Sequence, residues 1–375
     1  MTSESHNSSI RVLNVCETVT GGIATYLGVV HNSTIGSVQH HYVLPYSQSN
    51  KIFTDTNISF FNDNTKIISS KFGFRRVWKL FCATLTAVRN EMPDIFFFHS
   101  SFSLPVMMLL RMVGVRKQFV YCPHGWAALR FRPGSFKFWL IALIERSIVK
   151  YSDVVINISN FEMSYAKSAG YPGNHRLVVN AVSEMELLTE QNSIVDDGTS
   201  INLLFVGRFD RQKGLDVLLN AYAQARLHRQ DVNLHIVGDS VRGNSDLLHE
   251  QASTIDGVTL HGWCSLSDVS SLCRSVDVMI VPSRWEGFGL VVAEALREGT
   301  PVIVSDRGAL PEHIEDEKTG YIIKLSENDV CKKIISLDKQ RLLDMRPGCR
   351  ASFEERFSSD RLARELTDIF KELLE

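Results

Sequence analysis

Short runs of β-branched, aromatic and aliphatic residues alternate with helical patterns along nearly the whole of this 375-residue chain. In the first half they are RVLNVC, HYVL, DIFFFH, QFVYC, DVVINIS and RLVVN. In the second they are INLLFVG, NLHIVG, GVTLHG, DVMIVP, PVIVS and GYIIK. Most are continuously apolar rather than alternating, as strands covered on both faces are. The helical patterns between them carry a single apolar stripe, for example Leu215, Leu218, Leu219 and Tyr222. Strand–helix alternation of this kind specifies parallel sheets flanked by helices. The polar stretch EMELLTEQNSIVDDGTS, residues 184–200, breaks the rhythm and reads as a linker. The length suits about two domains.

The expected architecture is therefore α/β, with two Rossmann-like domains of similar size, residues 1–185 and 198–356. Ligands of such sheets bind at the carboxyl ends of the strands, on the loops that lead into helices. Two domains facing each other would form a central cleft with one set of loops on each wall. The residues just after each strand are the ones to inspect.

After RVLNVC comes ETVTGGIATYL, where Gly21 and Gly22 precede a helix. Free N–H groups there suit an anion, and a plain tight turn would use the same residues. After QFVYC come Pro123, His124 and Gly125; the histidine could reach into a cleft or serve as a structural cap. After INLLFVG come Arg208 and Lys213, two cations on one loop that could hold a diphosphate or simply face solvent. PSRWEGFGLVVAEALREGTP, residues 282–301, supplies Glu286 in a loop and Glu294 inside the following helix. Their spacing does not suit a shared proton. Glu294 is placed either to accept hydrogen bonds from a vicinal diol, as Rossmann acidic residues do from ribose, or to serve as an ordinary acid near a helix start. Gly287, Phe288 and Gly289 put backbone N–H groups at the helix start.

Other classes are set aside. The sequence has no D-x-D, no H-E-x-x-H and no His/Cys cluster at ligand spacing, so no metal site is expected. It has no Walker A, zinc finger or RNA-binding aromatic motif, so nucleic acid is a poor partner. Its seven cysteines are scattered, with no C-x-x-C, as in a reducing cytosol. MTSESHNSSI lacks the order of a secretory signal, and the apolar runs are far short of the ~20 residues a membrane span needs. A cytoplasmic protein is expected.

TGGIATYL, HGW, VVNAV, VGRFDRQKGLDVLL and VPSRWEGFGLVVAEALREGTPVIVSDRGALPE occur in the order seen in retaining glycosyltransferases of family 4, which have the GT-B fold. The chain resembles that family along its length, most strongly over residues 201–320. Glu286 and Glu294 match its E-x7-E motif, and Arg208 with Lys213 matches its R-x4-K pair.

The resemblance implies a nucleotide-diphosphate sugar donor, with UDP the family's commonest base, and a glycan acceptor. No cofactor is implied. Arg208 and Lys213 would neutralise the donor diphosphate and its leaving group, in place of a metal. Glu294 would bind the ribose hydroxyls. Glu286, with the backbone of Gly287, Phe288 and Gly289, would hold the transferred sugar and the phosphate, with Gly207 and Leu290 beside them. Gly262 and Trp263 would contact the base. Gly21 and Gly22 would close on the donor, and His124 would face the transferred sugar. Two departures are Asn180-Ala181-Val182-Ser183, where the family often has Asn-Gly-Val-Asp, and Gly308-Ala309, where it often has Gly-Gly. Two other functions remain compatible with the motifs: a GT-B nucleotide-sugar epimerase and a non-catalytic sugar-nucleotide binder.

Charge divides unevenly along the chain. Residues 1–190 hold 18 Lys and Arg against 12 Asp and Glu, whereas the remainder is acidic. In FRRVWKLFCATLTAVR, 74–89, Phe74, Val77, Trp78, Phe81, Leu85 and Val88 are spaced as one stripe, with Arg75, Arg76 and Lys79 elsewhere. LRFRPGSFKFW, 129–139, is also basic and aromatic. Both suit peripheral contact with an anionic membrane surface, and both suit ordinary packing on a sheet. Membrane contact would accord with a lipid-linked acceptor in bacterial surface polysaccharide synthesis, at the inner face of the cytoplasmic membrane. Leu362, Leu366, Ile369, Phe370 and Leu373 form the stripe of a last helix, 357–375, expected to cross back to the N-terminal domain.

Overall fold

The computed structural model describes residues 9–32, 37–51, 58–61, 74–184, 194, 198–239 and 246–375. It divides into two units, Met1–Ala181 with Ser359–Glu375, and Val182–Ser358. Most of the linker expected at 184–200 lies outside the described residues.

The first unit has strands β1 (Ile10–Cys16), β2 (Val38–Pro45), β3 (Ile58–Phe61), β4 (Ile95–His99), β5 (Gln118–Cys122), β6 (Val154–Asn157) and β7 (Asn174–Leu177). They form one sheet in the order β3-β2-β1-β4-β5-β6-β7, with every pair parallel. Helices α1 (Gly22–Asn32), α2 (Phe74–Glu91), α3 (Leu104–Met112), α4 (Phe136–Val149) and α5 (Asn160–Ser168) connect the strands. The three phenylalanines of β4 show why its run is apolar throughout. Phe96 and Phe98 each meet Phe119 at 5.1 Å, whereas Phe97 meets Tyr26 of α1 at 6.3 Å. All three are fully buried, one face to each helical layer.

β3, sequence ISFF, was absent from the strands expected above; four residues in a polar setting carry too little pattern to stand out. RLVVN is strand only at Arg176 and Leu177, the end of β7.

The second unit repeats the plan with β8 (Ile201–Val206), β9 (Val232–Val237), β10 (Val258–Gly262), β11 (Val278–Val281), β12 (Val302–Ser305) and β13 (Gly320–Ile323), in the parallel order β10-β9-β8-β11-β12-β13. Its helices are α6 (Leu215–Arg226), α7 (Asp246–Thr254), α8 (Leu266–Ser275), α9 (Leu290–Arg297), α10 (Glu327–Ile335) and α11 (Lys339–Arg356). The stripe Leu215, Leu218, Leu219 and Tyr222 is fully buried. Helix α12 (Ser359–Glu372) belongs to the first unit, where Leu362, Leu366 and Phe370 are buried and Phe370 packs 5.9 Å from Phe97.

The stripe read along α2 divides. Val77 and Phe81 are in the core and Leu85 and Val88 pack against it, but Phe74 and Trp78 are exposed. The core-facing positions are instead completed by Leu80, Thr84 and Ala87, because the helix meets its sheet along one edge of the expected stripe rather than along its middle. Arg76 is not a solvated cation either; it pairs with Glu17 at 3.1 Å.

Candidate functional site

Two groups of candidate residues gather at strand ends, one in each unit. In the second unit, β8 ends at Val206, and Gly207 leads into the loop that carries Arg208 and Lys213. A side chain at Gly207 would sit 3.3 Å from the Lys213 stem, so the glycine makes room for the lysine. Lys213 Nζ lies 2.7 Å from Glu286 Oε1, with both side chains largely shielded from solvent. Ser283 Oγ donates to the same carboxylate oxygen at 3.0 Å, and Gln212 Nε2 donates to the other at 3.4 Å. Arg208 is more exposed and pairs with Asp210 at 2.9 Å.

Glycine fixes this geometry at two close approaches. Gly214, the N-cap of α6, has φ +71°, and a Cβ there would lie 2.0 Å from the Pro282 carbonyl oxygen. At Gly308, φ +60°, a Cβ would lie 2.3 Å from the carbonyl oxygen of Glu286. The next residue, Ala309, donates its N–H to that oxygen at 3.0 Å and buries its methyl completely. Only the first position of the Gly308-Ala309 pair therefore demands glycine.

α9 starts at Leu290 after the N-cap Gly289, and Phe288 is buried against His313, whose Nε2 donates to the Phe288 carbonyl at 2.7 Å. That bond turns the carbonyl inward and steadies the loop that presents Gly287 and Gly289. Glu294, one turn into α9, is half-buried. Among the described residues its carboxylate has no hydrogen-bond or ion-pair partner, unlike Glu286. Burial raises its pKa above the ordinary carboxylate value, opposed by Arg297 and Lys213. The two glutamates do not share a proton: one is held by lysine, the other is an open acceptor. Gly262 ends β10 with φ +67°, and Trp263 beside it is 65% exposed.

In the first unit, Gly21 (φ +58°) and Gly22 are exposed at the start of α1, and a Cβ at Gly21 would meet nothing within 4 Å. His124 follows β5 in the left-handed region, φ +51°, and Ser100 follows β4 at φ +68°. Two non-glycine residues in that region at adjacent strand ends are a local cost of order 1–3 kcal/mol each. The residues between them form a hydrogen-bonded chain. His124 Nε2 is 3.0 Å from His99 Nδ1, and His99 Nε2 is 3.1 Å from Asn14 Oδ1. Asn14 Nδ2 donates to the His41 carbonyl and approaches His40 Nδ1, each at 3.1 Å.

The His41 carbonyl can only accept, so Asn14 must face it with nitrogen and face His99 with oxygen. His99 Nε2 is then a donor, its Nδ1 an acceptor, and His124 Nε2 the donor to it. His124 Nδ1 is left as a lone pair. Burial pushes His124 down to about 3, and burial with repulsion from His124 and His40 pushes His99 well below its ordinary value, so both rings are neutral. Tyr26 stacks edge-on to His124 at 4.6 Å. His99 and Asn14 went unnoticed in the sequence, although His99 ends the quoted run DIFFFH; a polar residue closing an otherwise apolar strand was the available signal.

No group of three or more His, Cys, Asp or Glu that could hold a metal occurs among the described residues, and no described helix is long and apolar enough to cross a membrane.

Residues 189–351 match the family model described as glycosyl transferases group 1, and residues 65–181 match the glycosyl transferase 4-like domain. A protein of the Klebsiella pneumoniae cps region is 29% identical over 376 residues, spanning 96% of this chain and 99% of that one. Sucrose-phosphate synthase from Thermosynechococcus elongatus superposes with a TM-score of 0.81 at 21% identity, over 98% of this chain and 99% of that one. Anabaena HepE in complex with UDP and glucose gives 0.75 at 17% identity, over 97% and 100%.

Proposed function

Because the chain belongs to the group 1 glycosyltransferases and has the GT-B fold, we propose that it transfers a hexose or N-acetylhexosamine from a UDP-sugar to a glycan acceptor with retention at the anomeric carbon. The acceptor is lipid-linked, at the inner face of the cytoplasmic membrane, and the product enters a bacterial surface polysaccharide. The similarity to a protein of a cps region supports that last step, and the UDP bound to HepE supports the base.

The observation that carries the reading is the contrast between the two glutamates. Glu286 is neutralised by Lys213, whereas Glu294, one turn into α9, offers a carboxylate without a hydrogen-bond or ion-pair partner among the described residues. A carboxylate left open in a half-buried place is suited to the two hydroxyls of a ribose, which supply both hydrogen bonds at once. Lys213 and Arg208 then meet the diphosphate. Their present partners, Glu286 and Asp210, hold them in place without ligand, and the diphosphate competes for the same N–H donors.

In the transfer, the bond between the anomeric carbon and the phosphate oxygen breaks and negative charge grows on the departing diphosphate. Cations already in place stabilise that charge without reorganising. The acceptor hydroxyl attacks from the face the diphosphate leaves and yields its proton to the departing phosphate oxygen. No carboxylate is assigned as a nucleophile, because Glu286 is bound by lysine, serine and glutamine. Neutral His124, with a lone pair at Nδ1, accepts from a sugar hydroxyl and acts as neither general acid nor cation.

The test is incubation with UDP-sugars and membrane lipid extract, followed by NMR of the product. An α-linked product from an α-linked donor fits the proposal. Release of UDP with an inverted linkage contradicts retention, and conversion of donor without acceptor points to an epimerase.

A further inference from the structure

Helix α4 turns five large apolar side chains to solvent: Phe136, Trp139, Leu140, Leu143 and Ile144, from 43% exposed at Leu140 to 80% at Phe136. They fall at spacings of three and four, so they share one face over two turns. Contiguous apolar surface of this size on a folded protein marks a contact site. The opposite face is fixed to the unit. Ala142 and Val149 are in the core, and buried Glu145 accepts from Ser101 Oγ at 2.6 Å, Ala127 N–H at 2.8 Å and Tyr171 Oη at 3.0 Å. The helix cannot roll inward to hide its outer face.

Charge identifies the occupant. Between residues 127 and 150, Arg130, Arg132, Lys137, Arg146 and Lys150 are all exposed, and the sole acid, Glu145, is buried. A second copy of the chain seated on α4 by two-fold symmetry would bring these cations against their own copies. An anionic bilayer meets both halves of the pattern, with acyl chains for the apolar face and head groups for the cationic rim. α2 adds a smaller patch of the same kind, Phe74 and Trp78 beside Arg75 and Lys79. In a parallel sheet the connecting helices run antiparallel to the strands, so both patches begin at the carboxyl edge, where His99 and His124 lie.

We infer that α4 lies flat on an anionic lipid surface, apolar face inward, and that α4 rather than α2 is the main contact. The inference deepens the lipid-linked acceptor reading, but its test needs no activity. Glu145 also caps the short helical turn Ala127–Arg130 that follows His124, so a bilayer under α4 bears directly on the segment that carries this imidazole.

The experiment is co-sedimentation of the full chain with vesicles of phosphatidylcholine alone or with phosphatidylglycerol added. Wild type is expected to bind the anionic vesicles and to be released by salt. Leu143→Ser with Trp139→Ser should weaken partition at least about tenfold, as should Arg130→Glu with Lys137→Glu. Phe74→Ser with Trp78→Ser should do so less. All these side chains are exposed, and unchanged melting temperatures and UDP response establish that the variants fold and keep the donor site. Absence of wild-type binding overturns the inference, as does binding untouched by the α4 variants. A dimer that the Leu143 variant dissociates, without vesicle binding, assigns the face to a second copy and overturns it too.

Discussion

The ammonium of Lys213 and the carboxylate of Glu286 lie 2.7 Å apart, joining the loop after β8 to the loop after β11. The pair presets a cation at two converging strand ends, and removing either partner exposes what the other was doing. Lys213→Ala leaves Glu286 shielded from water with only neutral donors. Turnover should fall about 10²–10³-fold through lost charge stabilisation, and the protein should lose about 1–3 kcal/mol of stability. Steady-state kinetics and denaturant titration measure the two effects separately.

Glu294 should behave in the opposite sense. Its pKa is raised by burial in the folded state, so the folded protein holds its proton more tightly than the unfolded chain. The associated stability is complete below the ordinary carboxylate pKa and is lost as pH rises through the raised value. Glu294→Gln should therefore raise the melting temperature at neutral pH while weakening nucleotide binding. Thermal scans across pH 4–8, taken as roughly the span of carboxylate titration, should show a flatter profile for the variant. A variant that is both less stable and equally good at binding UDP contradicts the role assigned to Glu294.

His99 fixes the tautomer of His124, so His99→Phe should release it. ¹⁵N spectra of wild type should show His124 protonated at Nε2 and bare at Nδ1; the variant should show exchange between tautomers. Donor KM should rise about tenfold, the scale of one hydrogen bond. Because burial holds His124 down to about 3, activity should show no inflection from this residue near the ordinary imidazole pKa. An inflection there that disappears in His124→Asn contradicts the neutral-acceptor role.

Gly308→Ala would place a methyl 2.3 Å from the Glu286 carbonyl oxygen and 2.8 Å from its nitrogen, both backbone atoms. The loop must move, and Glu286 with it. Loss of activity should exceed loss of stability, and the reverse change at the next position, Ala309→Gly, should be mild by comparison.

Removal of the chain from Ser358 onward strips Leu362, Leu366 and Phe370 from the first unit and uncovers Phe97. The shortened protein should aggregate or melt well below wild type, as differential scanning calorimetry can record.

The sheets were legible because strands buried on both faces write continuous apolar runs, as Phe96, Phe97 and Phe98 do. The strand-end cations and glutamates were legible as positions, since a known motif places them. Their partners were not. That Lys213 finds Glu286 rather than Glu294 depends on Gly214 and Gly308 allowing backbones to touch and on Gly207 leaving room for the lysine stem, which no spacing in the sequence expresses. The tautomer chain through His99 and Asn14 joins three strands and is invisible along any one of them. On α2, periodicity located an apolar stripe but could not say which of its edges the sheet would cover, so Phe74 and Trp78 were grouped with Val77 and Phe81. Of the larger exposed face, on α4, Phe136 and Trp139 fall in the basic aromatic stretch 129–139, whereas Leu140, Leu143 and Ile144 are indistinguishable in sequence from core.

The most direct test is thermal stabilisation of the purified protein by UDP, GDP, ADP and CMP, alongside Lys213→Ala and Glu294→Ala. A ligand at 100 times its Kd stabilises the folded state by about 2.7 kcal/mol, a shift of several degrees. The account predicts that UDP raises the melting temperature of wild type and that neither variant responds. A folded wild type that no nucleotide stabilises, or variants that respond as wild type does, would contradict it.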